Sequence, residues 1–357
     1  MSGTLKKIIL AANLVTMVYN ICLASAPAAA DFESEISAAS AIVLSDDGQS
    51  LFEKNADERR LIASTTKLMT ALVAIENSSG EQIIEIDPVC CGIEGTSMYL
   101  RPGDQYTVDE LLCGLLLSSG NDAAEALAVG LCGSEDAFVE KMNDKARALG
   151  LENTSYRNPH GLDAEGHCST ARDLARLMLA CMQNERFAAL CGKREACIHE
   201  ANYVNHNKLL STLPGCLAGK TGYTRAAGRC LVSCCERDGL RLVCVTLSDP
   251  DDWNDHSHLY EQAFAAWERR VAVSTSERYE IALVAGRQRC AVAAPERELS
   301  LVLRRCEELR YVRELPLFAY APVRAGEYAG RIVVIRGDET IDEIPLIYCL
   351  SVEKESE

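Results

Sequence analysis

The sequence predicts a two-domain protein of mixed α/β (α+β) class, a helix-rich domain carrying a strand hairpin followed by a small all-β module. Three observations predict it. The chain has 357 residues, more than one ordinary hydrophobic core organises. Helical spacing of apolar residues runs through much of the chain as far as about residue 270, broken by a strong hairpin signal at Asp238-Gly239. After Val273-Ser274-Thr275 that spacing stops, and only short strand-like runs separated by turn residues follow.

The elements follow in order. Lys6 and Lys7, an apolar run over residues 8–24 and the small residues Ala28 and Ala30 read as an export signal cut ahead of Asp31. The run is short for a membrane span, and Asn13 and Asn20 interrupt it. Leu68, Met69, Leu72, Val73 and Ile75 predict a helix after Ser64. Residues 108–117 and 122–129 predict two more, parted by the polar turn Ser118-Ser119-Gly120-Asn121. Thr170 opens another, with Asp173 as its acidic N-terminal partner. Residues 230–235 and 240–247 flank Asp238-Gly239 as strands, and residues 259–271 read as a closing helix. Strands are then expected at 279–285, 299–305, 309–315, 331–336 and 343–348. The predicted organisation is a signal over 1–30, a first domain over 31–273, a β domain over 277–352 and a polar tail over 353–357.

Composition narrows the function classes. The formal net charge is −16, and removing residues 1–30 leaves 34 bases against 52 acids. Such a surface repels phosphate backbones, which excludes nucleic acid as a natural partner and gives no support to adhesion on anionic lipid. The 17 cysteines include no CxxC pair and no zinc-type spacing. Many sit in apolar runs, as Cys230, Cys234 and Cys244 do, and read as small buried hydrophobes with free thiols.

Three short motifs carry chemistry. Ser64 and Lys67 form S-x-x-K, which places a hydroxyl and an amine on one helical face. A hydroxyl needs a base before it attacks, and a lysine serves as one when burial or a nearby cation lowers its pKa. Ser119-Gly120-Asn121 forms S-x-N in the turn between two apolar helices. Lys220-Thr221-Gly222 leads into the hairpin, where a glycine lets a substrate backbone approach a strand edge and the cation can hold a carboxylate. Each motif alone is common. Their order, on a helix, a loop and a strand, closely resembles the set of serine acyl-transfer enzymes that recognise β-lactams, in which S-D-N is the middle element.

At these residues the chain resembles the low-molecular-mass penicillin-binding proteins, the serine-type D-alanyl-D-alanine carboxypeptidases (peptidase S11-like). The likeness extends to the stretches 63–70, 97–103, 115–128, 158–162, 169–173 and 205–210, and to the β module. It implies a β-lactamase/transpeptidase-like fold, an antiparallel sheet flanked by helices, with an accessory β domain. It also implies an exported hydrolase that removes the terminal D-alanine from peptidoglycan stem peptides through an acyl-Ser64 intermediate, without metal or cofactor. Ser64 would be the nucleophile, Lys67 its base and Ser119 the proton relay. Asn121, Lys220, Thr221, Gly222 and Tyr223 would bind substrate, with the N–H groups of Ser64 and Tyr223 as oxyanion hole. β-Lactam antibiotics would acylate Ser64.

Two departures and several rival readings stand beside this. Relatives often carry a carboxylate-binding arginine after the hairpin, whereas this chain reads Asp251-Asp252-Trp253-Asn254-Asp255-His256. Relatives often end in an amphipathic membrane-binding helix, whereas this sequence ends in an acidic stretch. The acids and histidines of residues 249–258 read as a polar loop entering a helix rather than a metal site, and His160 as a structural histidine. The alternatives are a class A-like β-lactamase, disfavoured by the appended β domain, a D,D-endopeptidase, or a non-enzymatic β-lactam sensor.

Overall fold

A computed structural model describes residues 14–18 and 36–355. The predicted export signal therefore lies outside the described residues, except that Leu14–Val18 is a strand paired antiparallel with Leu309–Pro316. Among the described residues no helix is long and apolar enough to cross a membrane. The chain forms two compact units, one holding Ala30–Ala266 and the other holding Trp267–Glu357 with the N-terminal strand.

The first unit is built on a five-stranded antiparallel sheet. Its strands are β1 (Ser40–Ser45), β2 (Ser50–Lys54), β3 (Cys216–Thr224), β4 (Gly228–Arg237) and β5 (Leu240–Leu247), in the spatial order β2-β1-β5-β4-β3. The first and last strands of this sheet thus meet in its middle, β1 pairing with β5. The β1–β2 hairpin was not among the predicted strands, although its apolar run into Asp46-Asp47-Gly48 carries a turn signal.

Helix α1 (Lys67–Glu76) is the hub. Its residues from Lys67 to Ile75 are all buried, and it packs against α2 (Val108–Leu117), α3 (Asn121–Cys132), α4 (Glu135–Ala148), α5 (Ala171–Met182) and α6 (Glu185–Cys191). A helix apolar on every side belongs in a core, and this one is enclosed on every side. Capping sets the surrounding starts. Thr107 and Glu110 form a reciprocal capping box on α2, and the Thr170 hydroxyl accepts the Asp173 N–H at 3.0 Å to open α5. Helices α5 and α7 (Asp252–Ala266) pack on the sheet.

The expected closing helix stops earlier than its pattern implied. It ends at Ala266, and Trp267–Val273 is a strand paired with Leu299–Arg304. The run Trp267-Glu268-Arg269-Arg270-Val271 has β-type composition at its ends and too few apolar residues at helical spacing, so cross-strand pairing decides. In the second unit a sheet links Leu309–Pro316, Tyr328–Arg336, Glu339–Tyr348, Cys290–Pro295 and Tyr279–Val284 in that spatial order. Ile281, Ala293, Ile332, Val334, Ile344 and Leu346 make its core. Cys290–Pro295 escaped sequence reading because its alanines carry weak strand propensity.

Candidate active site

Ser64 sits in a 3-10 turn, Ala63–Thr66, that runs directly into α1. The turn is tied down locally, with the Thr65 and Thr66 hydroxyls donating to Ile62 O at 2.6 Å and Ala63 O at 2.8 Å. Ala63 itself takes φ +47°, a left-handed conformation that costs a residue with a Cβ and persists only where surroundings enforce it. Gly161 helps enforce it: a Cβ there would lie 2.0 Å from Ala63 O, and its φ is +89°.

Lys67 is completely buried. Its Nζ lies 2.9 Å from Ser64 Oγ, 2.6 Å from Asn121 Oδ1 and 2.7 Å from His160 O. Burial, and then the Lys220 cation, hold its pKa well below the usual lysine range. A neutral amine has two N–H donors and one lone pair. Asn121 Oδ1 and His160 O are pure acceptors here and take both donors, which leaves the lone pair for the Ser64 O–H. Asn121 is oriented for this, since its Nδ2 donates to Glu94 O at 2.5 Å. The His160 ring is neutral at working pH, pushed down to about 3 by burial and by Lys67. Its contribution to the site is its main-chain carbonyl, in keeping with a structural rather than a base role.

Asp122, also buried, anchors the neighbouring wall. It accepts Ser97 Oγ at 2.6 Å, Met98 N at 2.9 Å and Leu100 N at 3.1 Å. Ser119 occupies the turn before α3 with φ +65° and is buried.

Strand β3 forms the opposite wall. Lys220 is buried, its pKa is lowered to about 8 by burial, and its Nζ donates to Thr221 O at 2.9 Å. Gly222 needs its missing side chain: a Cβ would come within 3.0 Å of both Ile62 O and Ser64 N. The strand backbone therefore passes tightly against the Ser64 N–H. A cavity of about 630 Å³ between these walls is lined by Ser64, Ser119, Thr221, Gly222, Tyr223, Arg229 and Trp253, among others. All eight sequence-predicted residues thus lie in or directly behind one cavity.

Sequence reading missed Arg229. It faces Tyr223 across the β3–β4 hairpin and lines the same cavity. Its Nε and Nη2 donate to Asp252 Oδ1 at 3.0 and 2.7 Å, and its guanidinium lies 5.9 Å from the Trp253 ring centre. Asp252 and Trp253 stand in the stretch where the resemblance expects an arginine. The hairpin turn before Gly228 was the available signal, because a strand begun there places Arg229 beside Tyr223.

The polar stretch 249–258 is consumed structurally. Asp255 accepts the Ser37 N–H at 2.6 Å and the Ala38 N–H at 3.1 Å, and His256 bonds Ser233 at 2.8 Å and Thr246 at 3.1 Å. Among the described residues, Glu125, Glu135 and His160 bring possible metal-binding atoms within 4.8 Å of one another. His160 Nδ1 accepts the Leu162 N–H at 3.2 Å, and burial and Glu135 push the Glu125 carboxyl up to about 7.

The family profile for D-alanyl-D-alanine carboxypeptidase matches residues 24–251. The chain belongs to that family. It is 32% identical over 318 residues to the D-alanyl-D-alanine carboxypeptidase DacF of Bacillus subtilis, covering 84% of this chain and 82% of the relative. The solved D-alanyl-D-alanine carboxypeptidase of Mycobacterium tuberculosis is similar with a TM-score of 0.64 and 35% identity, covering 68% of this chain and 96% of that one. Penicillin-binding protein 6B of Escherichia coli is similar with a TM-score of 0.71 and 25% identity, covering 92% and 98%. Membership of the D-alanyl-D-alanine carboxypeptidase family makes the chain a serine hydrolase of the carboxypeptidase class.

Proposed function

We propose that this member of the family releases the terminal D-alanine of peptidoglycan pentapeptide stems through an acyl-Ser64 intermediate. The observation that carries the reading is the Lys67 amine, 2.9 Å from Ser64 Oγ with its remaining partners both carbonyl oxygens. That arrangement draws the hydroxyl proton towards nitrogen as the oxygen attacks. The N–H groups of Ser64 and Tyr223 receive the developing oxyanion, a contribution of about 3 kcal/mol for one such donor. Ser119 passes the proton to the departing D-alanine, and Asn121 holds Lys67 and the substrate amide. Lys220 and Thr221 hold the terminal carboxylate. Arg229, on the cavity rim, supplies the further cation that the stretch after the hairpin lacks. Water then cleaves the ester.

The same proposal covers location and domains. Lys6, Lys7, the apolar run and the small residues before Asp31 support export to the cell envelope. Catalysis belongs to the helix-rich domain, and the β-rich region is an accessory domain. β-Lactams acylate Ser64 because they mimic the same dipeptide.

Free D-alanine measured after incubation with a pentapeptide tests the reading. Wild type releases D-alanine, and Ser64→Ala loses at least about 10³-fold in rate. Cleavage of cross-linked dimers without release from monomers supports the endopeptidase alternative instead. Labelling by fluorescent penicillin without any release supports the sensor alternative. Full activity in Ser64→Ala overturns the mechanism.

A further inference from the structure

The sixteen described cysteines are all free thiols, and one pair differs from the rest. Cys216 opens β3, and Cys235 lies directly opposite on β4. The adjacent pair carries the ladder bond, Glu236 N–H to Gly215 O at 2.9 Å. Hydrogen-bonded and non-hydrogen-bonded pairs alternate along an antiparallel ladder, so Cys216 and Cys235 form a non-hydrogen-bonded pair. Such pairs bring Cα atoms to about 4.5 Å, the closest approach in a sheet, and a disulfide accepts about 4.4–6.8 Å. The Cys216 N–H is turned away to Leu213 O at 3.2 Å, and the strand bulges immediately afterwards.

The two sulfurs meet on one face. The Cys235 side chain is a hydrogen-bonding neighbour of the Cys216 sulfur, which also takes Asn207 Nδ2 at 3.9 Å and donates to Ala218 O at 3.8 Å. These contacts pull the Cys216 thiol below its ordinary pKa, led by the Cys235 contact. The fully buried thiols, Cys181, Cys191 and Cys244 among them, are pushed up by burial instead. Cys216 is also only partly buried, so a small reagent reaches it. Nucleophilic character, access and a resolving thiol coincide at this one place.

We propose that Cys216 and Cys235 form an oxidisable dithiol, a modification site that reacts with low-molecular-mass disulfides and closes to a cross-strand disulfide. The Cys216 thiolate attacks one sulfur of the small disulfide, forming a mixed disulfide and expelling a thiolate that takes up a proton. Cys235 loses its proton and attacks the Cys216 sulfur, expelling the second small thiol. The protein dithiol is oxidised by two electrons, and the small disulfide is reduced to two thiols. The link sits on the strand that carries Lys220, four residues further on. It turns the sulfur that Asn207 Nδ2 approaches into a disulfide sulfur, a weaker acceptor, and Asn207 in turn binds Asn205, which lines the catalytic cavity (Asn207 N–H to Asn205 Oδ1, 2.9 Å). Redox state at Cys216 is thereby coupled to the wall that grips substrate.

The test uses the full chain, reduced, freed of reductant and incubated folded with oxidised glutathione. Remaining thiols are then alkylated under denaturing conditions and the peptides mapped by mass spectrometry. A peptide linked through 216 and 235 is expected in wild type. Cys235→Ser should trap a stable glutathione adduct on Cys216. Cys216→Ser should leave Cys235 reduced. Cys191→Ser should oxidise as wild type does, because that thiol is committed to Gly219 O at 3.5 Å. Labelling of Ser64 by fluorescent penicillin verifies folding of each variant, and Cys216→Ala replaces Cys216→Ser if the latter does not label. Alkylation of both thiols in glutathione-treated wild type, a link to a different cysteine, or a stable adduct on Cys216 in wild type each overturns the proposal.

Discussion

The two walls of the catalytic cavity are made in opposite ways. Behind Ser64 the wall is dry. Lys67 and Asn121 are buried, and the contacts of the Lys67 amine are Ser64 and two carbonyl oxygens at 2.6–2.9 Å. Across the cavity the wall grades from buried Lys220 to exposed Tyr223, and Arg229 shares its charge with Asp252 at a partly solvated rim. The difference separates chemistry from recognition. A proton is moved where dielectric is low and donors are counted, whereas a carboxylate is gripped by several cations, each replaceable in part by water. Errors on the first wall should therefore be severe, and errors on the second graded.

Lys67→Met is the strongest challenge to that contrast. It keeps the volume but removes the base, so acylation by pentapeptide or penicillin should fall by about 10³-fold or more. It also leaves Asn121 Oδ1 and His160 O without their donor, which costs about 1–3 kcal/mol per unsatisfied group. A thermal melt beside single-turnover acylation separates the two effects. A variant retaining a tenth of the rate would show that the dry wall is not where the proton goes.

The second prediction concerns pH. Lys220 loses its proton as pH rises through about 8, so its grip on carboxylate weakens above that value and KM should rise by about tenfold between pH 7 and pH 9.5. Lys67 must be neutral to act, and its pKa is held well below the usual lysine range, so rising pH only favours its neutral form and kcat should not fall with the grip on carboxylate. A KM that stays flat through pH 9.5 would remove Lys220 from carboxylate binding.

Arg229→Ala should have the smallest effect, a rise in KM of about three- to tenfold with kcat nearly unchanged, as expected for a partly exposed charge contact. The same substitution should hardly alter turnover of a substrate ending in an amide. A kcat loss equal to that of Lys67→Met would place Arg229 with the chemistry and collapse the distinction between the walls.

Much of this was legible before any coordinates. The spacing of Leu68 through Ile75 predicted a helix after Ser64, and the S-x-x-K spacing put Ser64 and Lys67 on one face because three residues make nearly one turn. Thr170 marked a helix start whose hydroxyl accepts the Asp173 N–H, while the Asp173 carboxylate turns instead to Asn153 N–H and the Thr154 hydroxyl. The β1–β2 hairpin and Arg229 were not read. Apolar runs of strand length cannot be told from buried helix by periodicity alone, and a strand placed from Cys230 instead of Gly228 leaves Arg229 in a loop.

By itself the sequence determined the catalytic vocabulary: a hydroxyl, an amine, an amide and a cationic strand, in the order 64, 67, 121, 220. It also determined the main helices around the site and the β character of the C-terminal module, but not the strand Trp267–Val273, the β1–β2 hairpin or Cys290–Pro295. Only the tertiary structure decided that Lys67 stands against Asn121 and His160 O, that Gly222 closes on the Ser64 N–H, and that Arg229 and Cys216 reach the places they do. The reason is physical. Local spacing governs contacts within a turn of helix or across a tight hairpin, whereas burial of a lysine amine and the pairing of distant strands follow from how whole elements pack, and packing is a property of the assembled chain.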